Sequence, residues 1–89
     1  MPITHNPAQN RFESEQNGLV AVADYHLNEK IMTVTHVIVP PELRGGGVAS
    51  ALAAEVVARA RRDGLKIVPQ CSFMAAYMKK HSETHDVRA

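Results

Sequence analysis

Three consecutive glycines, Gly45-Gly46-Gly47, follow Arg44 and lead straight into a periodic apolar segment that opens Val48-Ala49. Glycine lacks a Cβ, so its backbone reaches angles closed to other residues and approaches a ligand closely. A helix starting at Val48 leaves its first amides without intrahelical partners, and its dipole adds about half a positive charge there. Together these features suit a phosphate or diphosphate. The side chains agree, because the first turn holds no acid and Glu55 arrives only two turns later. A triple glycine alone would fit a flexible loop equally well. The strand ending at Val39, the Pro40-Pro41 stop, Arg44 and the apolar stripe beyond favour the anion site.

Two other phosphate loops fail against the same residues. A nucleotide-triphosphate loop requires Lys and then Ser or Thr after its last glycine, where this chain has Val48-Ala49-Ser50. A dinucleotide fingerprint would place Ser50 at its final Gly or Ala, in a chain too short for that domain.

Single residues add chemistry around this turn. His36, one position before Val37, is of the residue type most often used as a general base and suits that role for an incoming ammonium, or else a hydrogen-bonded structural role. Cys71 lies between a strand end and a helix start, where a dipole favours a thiolate. It is either a nucleophile or a small buried apolar residue. His81 and His85 stand four apart without a third ligand nearby, so no metal site is expected. Lys79 and Lys80 are a solvated helix face or a contact for a terminal phosphate.

These residues need elements to position them. Residues 1–9 read as a loose lead-in, broken by Pro2, Asn6 and Pro7. Arg11 to Glu15 alternates as a short edge strand, and Asn17-Gly18 is a hairpin signal. Leu19 to Leu27 reads as the next strand, closed by a turn at Asn28-Glu29. Ile31 to Val39 is rich in β-branched residues. Its alternation puts Val37 and Val39 on one face and Met32, Val34 and Ile38 on the other, so it is expected to be covered on both sides. Val48 to Arg62 is an amphipathic helix with a stripe through Leu52, Ala53, Val56, Val57 and Ala60, ending at Gly64. Leu65 to Pro69 is expected to be a short buried strand. Ser72 is expected to cap a second helix running to about His81, with Phe73, Met74, Tyr77 and Met78 inward. Residues 83–89 are expected to fray. The fold class is therefore α/β: a three-strand antiparallel meander continuing into helix–strand–helix, with helices flanking a mixed sheet. Residues 10–82 form the one domain.

Composition narrows the function. Ten Lys and Arg face nine Asp and Glu, for a net charge of +1, and there are only four aromatic residues. That excludes bulk electrostatic or base-stacking recognition of nucleic acid. No apolar run approaches a membrane span or a signal peptide, and a lone cysteine suits a reducing compartment, so a cytoplasmic location is expected. At 89 residues, a single domain buries roughly 60–65% of its unfolded surface, leaving a thin stability margin that a ligand or a homodimer partner would widen.

Arg44-Gly45-Gly46-Gly47-Val48-Ala49 resembles the Gln/Arg-x-x-Gly-x-Gly/Ala motif of the GCN5-related N-acetyltransferase superfamily. The strand before it and the helix after it match that family's order. Val39-Pro40-Pro41, Arg44-Gly45, and Cys71 through Tyr77 are similar to a short subfamily of about this length. The resemblance covers residues from about 10 to 82. It implies acetyl-CoA as cofactor, with the coenzyme A diphosphate on Arg44, Gly45, Gly46, Gly47, Val48 and Ala49. It implies that the pantetheine arm pairs with the strand edge at Val37, Ile38 and Val39. An amide there would stabilise the oxyanion formed when an amine attacks. It gives Tyr77 the place of a general acid, alongside the simpler reading of a packed ring, and Cys71 that of an acyl acceptor. Full-length relatives carry an N-terminal helical pair that shapes the acceptor pocket, and nothing before Arg11 supplies one. The amine acceptor, a small molecule or a protein lysine or N-terminus, would meet a shallow site or one completed by another subunit. The alternative function is a non-catalytic coenzyme A-binding or adaptor module.

Overall fold

The computed structural model describes residues 2–89. Five strands form one sheet in sequence order: β1 (Thr4–Asn6), β2 (Arg11–Gln16), β3 (Leu19–Asn28), β4 (Ile31–Ile38) and β5 (Lys66–Pro69). The first four pair antiparallel, and β5 joins β4 in parallel. The parallel step requires a crossover, supplied by helix α1 (Val48–Asp63). Helix α2 (Ser72–Lys80) follows β5. This is the expected α/β meander with its helix–strand–helix extension.

The core forms where the stripe of α1 meets one face of the sheet. Leu52, Ala53, Val56 and Ala60 are fully buried against Phe12, Ala21, Ala23, Met32 and Val34. Met74 and Met78 of α2 close the same cluster. Gly64 ends α1 in the left-handed conformation, as a C-cap glycine does.

Several local expectations need correction. The lead-in contains a strand, because Thr4–Asn6 pairs with Arg11–Glu13 and so makes β2 an inner strand. The tail is also ordered: Ser82–Val87 forms 3-10 turns in which Thr84 and Val87 are buried. Arg61 grips the Asp86 carboxylate with two hydrogen bonds at 2.7 and 2.9 Å. The second hairpin turn falls one residue later than read, with Glu29 left-handed and Asn28 still in β3. Cys71, not Ser72, is the N-cap of α2, and it makes no side-chain capping bond.

The largest correction concerns β4. Asp24 opposes His36 while the next residue, Tyr25, opposes Val34, so Thr35 is an extra residue in β4. Such a bulge flips every later side chain to the other face. Val37 and Val39 therefore join Met32 and Val34 on the core side. Ile38 turns to the opposite face and is 53% exposed. That outer face is not covered: Val20, Ile31 and Val68 are also exposed there.

Besides its ladder with β2, β1 is anchored by one ring. His5 stacks on Phe12 with centroids 4.3 Å apart, and its Nε2 shares a hydrogen bond with the Tyr25 hydroxyl at 2.6 Å. Burial lowers the His5 pKa, helped by Arg59 and Arg62 of α1, while Asp63 partly opposes them. A folded-state pKa below the unfolded value means that the native form binds fewer protons. The associated stability is complete above the unfolded value and is lost as pH falls through the folded one. We expect the protection factors of the β1 amides, corrected for the intrinsic exchange rate, to fall as the pH drops below about 6.5, and His5→Phe to remove that dependence.

Candidate functional site

At the end of β4 the chain passes through a 3-10 turn (Pro41–Leu43) and reaches the glycines. Gly45 and Gly47 have φ of +87° and +84°, whereas Gly46 does not enter the left-handed region. Two of the three glycines are thus demanded by backbone conformation. A Cβ built on either would meet no protein atom within 4 Å, so the main chain there faces open space. Arg44 clasps the loop, its Nε donating to the Val39 carbonyl at 3.2 Å.

Gly47 is the N-cap of α1, and the first intrahelical bond runs from the Ala51 amide to its carbonyl. The amides of Val48, Ala49 and Ser50 therefore have no helical partner. No acid lies in that turn. The three donors and the dipole constitute a positive site without a countercharge.

β5 pairs with β4 only from Ile31 to Val34. The chain then leaves the sheet, held by a bond from the Cys71 amide to the Val34 carbonyl at 3.0 Å. From Thr35 onward, β4 has no strand on that side. Alternate N–H and C=O groups of a strand point to each edge, so some of those between Thr35 and Val39 are unpaired.

The free edge and the bare helix start open into one cavity of about 570 Å³. Val37, Ile38, Val39, Arg44, Gly45, Gly47, Val48 and Ala49 line it. Gly46 is not among its lining residues, and a Cβ there would lie 3.6 Å from the Leu43 carbonyl. Leu43, Ser50 and Phe73 also line it and were not singled out from sequence. Ser50 was legible as the third residue of the bare turn. Phe73 was not, because its spacing in α2 reads as core.

The catalytic candidates lie apart from this lining. His36 is exposed on the outer face. Thr35 Oγ1 donates to the Asp24 carbonyl at 3.3 Å and accepts from His36 Nδ1 at 3.2 Å. That tautomer leaves Nε2 as a free lone pair in solvent. Cys71 is half-buried against the core and lines neither cavity. Tyr77 lines a smaller cavity beside the first. Burial, with help from the Glu83 carboxylate, raises its pKa, so the phenol keeps its proton at neutral pH. Among the described residues, no group of three or more His, Cys, Asp or Glu is placed to hold a metal. None of the helices there is long and apolar enough to cross a membrane.

This arrangement can be set beside known proteins. The solution structure of a GCN5-like protein from Staphylococcus aureus superposes with a TM-score of 0.78 at 30% identity, covering 99% of this chain and 87% of that one. The sequence model of GCN5-related N-acetyl-transferases matches residues 11–87, which include both helices and all the cavity-lining residues. The chain belongs to the GCN5-related N-acetyltransferase family.

Proposed function

We propose that the protein binds acetyl-CoA in the 570 Å³ cavity and transfers the acetyl group to an amine. One observation carries this reading. Three unpartnered amides of α1, behind a left-handed glycine and with no acid beside them, share a cavity with an unpaired strand edge. A diphosphate fits the first feature, and a chain of amides such as pantetheine fits the second. Bound there, acetyl-CoA supplies an activated acyl group, in which attack by the amine forms a C–N bond as the C–S bond breaks and the thiolate departs.

The protein's own part is to hold and to polarise. Val48, Ala49 and Ser50 donate to the diphosphate through their amides. A free amide of the β4 edge near Val37 to Val39 donates to the thioester oxygen, and a donor of that kind is worth about 3–4 kcal/mol of barrier. His36 Nε2 takes the proton of an ammonium arriving over the uncovered outer face. The acceptor is a small-molecule amine or a protein lysine or N-terminus, met in the cytoplasm. Cys71 offers a covalent alternative. It predicts an acetyl adduct in the intact mass after incubation with acetyl-CoA, whereas direct transfer predicts none.

Calorimetric titration with acetyl-CoA and with coenzyme A tests the binding, and thiol release on an amine panel tests the transfer. We expect micromolar binding and amine-dependent release. Binding with no release on any amine would mark a coenzyme A-binding module. The absence of binding at millimolar ligand would remove the assignment.

A further inference from the structure

β4 changes character at Thr35. It is the extra residue of the bulge, and it is also the first residue of β4 beyond the last β5 pair, Val34 with Pro69. In a regular strand successive side chains point to opposite faces and diverge. Here Thr35 Oγ1 and His36 Nδ1 lie 3.2 Å apart, a contact that the bulge allows. The half-buried Thr35 hydroxyl has one proton, committed to the Asp24 carbonyl at 3.3 Å. Toward the ring its oxygen can therefore only accept. The Asp24 carboxylate, on the residue opposite His36, is engaged with Arg11 Nε at 3.1 Å. Which nitrogen of a neutral histidine holds the proton is set by the bond that the other makes. One backbone oxygen thus fixes the hydroxyl, the hydroxyl fixes Nδ1–H, and Nε2 is left bare toward solvent.

We propose that Thr35 is the positioning residue for the general base: it holds His36 as the Nδ1–H tautomer, with Nε2 open to the acceptor. The proposal rests on reading His36 as the base of acetyl transfer. A base must present a lone pair, and the other tautomer would present an N–H to an ammonium that can only donate. With Nε2 bare, one proton passes from the ammonium to Nε2, leaving a neutral amine with its lone pair and an imidazolium. Thr35 Oγ1 still accepts from Nδ1–H of that imidazolium, so the hydroxyl serves both charge states without turning. The exposed ring then gives its proton to water.

The test begins with ¹⁵N NMR of the ring nitrogens in the full chain, without ligand, about two pH units above the ordinary histidine value. Wild type is expected to show a protonated Nδ1 and a bare Nε2 for His36. Thr35→Val, which keeps the shape and loses the oxygen, should give a mixture of tautomers, and Thr35→Ser should restore the wild-type pattern. Thiol release with acetyl-CoA and the best amine of the panel should then fall about 3–10-fold in kcat for Thr35→Val, the worth of one hydrogen bond. The KM for acetyl-CoA should stay unchanged, and Thr35→Ser should recover the rate. A wild-type His36 protonated at Nε2, or a Thr35→Val ring spectrum identical to wild type, overturns the proposal whether or not the protein is active. So does a kcat that stays put while the tautomer changes. If wild type shows Nδ1–H yet releases no thiol with any amine, the reading of His36 as a base falls, and the Thr35 contact stands only as a structural one.

Discussion

Gly47→Val is expected to lose coenzyme A binding by more than about 100-fold while the sheet stays folded. Gly47 sits at φ +84°, a region that a β-branched residue adopts only with strain. Valine there pulls the turn toward negative φ, and the amides of Val48 and Ala49 rotate with it. Each hydrogen bond to a charged group is worth about 1.5–3 kcal/mol, so two misaligned donors account for the loss. The new side chain also stands in the open space that a ligand would fill, since no protein atom lies within 4 Å of its Cβ. Gly46→Ala is the control. Gly46 has an ordinary φ, and its Cβ would lie 3.6 Å from the Leu43 carbonyl, a normal contact. Its affinity should stay within about twofold of wild type, a change too small to represent a lost hydrogen bond. Titration of both variants checks the pair. Equal affinity of Gly47→Val and wild type would remove the turn from the site. The strain should also cost about 1–3 kcal/mol of stability, read as a lower melting temperature without ligand.

Phe12→Ala is expected to have the largest effect on stability, about 3–5 kcal/mol. Phe12 is 1% exposed, yet it lies on β2, beneath α1 and far along the chain from the cradle. It faces Ala23 across the β2–β3 ladder and stacks under His5 of β1, with Tyr25 5.7 Å away. Truncation opens a cavity and also removes the ring on which β1 rests. The loss is a large part of the 5–15 kcal/mol available to a domain, and a small domain lies toward the lower end. We expect a melting temperature lower by at least about 12 °C. Coenzyme A at 100 times its dissociation constant should recover about 2.7 kcal/mol of it, because the cradle is untouched. A variant that melts within 5 °C of wild type would show, at about 4–8 °C per kcal/mol, that the site collapses without a cavity.

The two variants probe features that were not equally legible. Local chemistry encoded the meander, the stripe of α1, the cap at Gly64 and the bare turn at Val48, because each depends on residues a few positions apart. Period, turn type and missing acids can all be read without knowing what lies across the sheet. Phe12 could be read only as part of a short edge strand. Its burial depends on β1 pairing outside β2, and that needs residues 4–6 to find residues 11–13 and His5 to meet Tyr25. The tail was hidden in the same way, since Asp86 gains its order from Arg61, 25 residues earlier. Alternation along β4 gave the right strand and the wrong faces, because one extra residue at Thr35 is a property of its pairing with β3. That bulge turned Val37 and Val39 toward the core and left Ile38 and His36 on an open face. Phe73 and Tyr77 read as inward with Met74 and Met78, yet only the two methionines are buried, and the two rings are half-buried beside cavities. Periodicity identifies a helix face, and only the packing of α2 beside the start of α1 decides what that face meets.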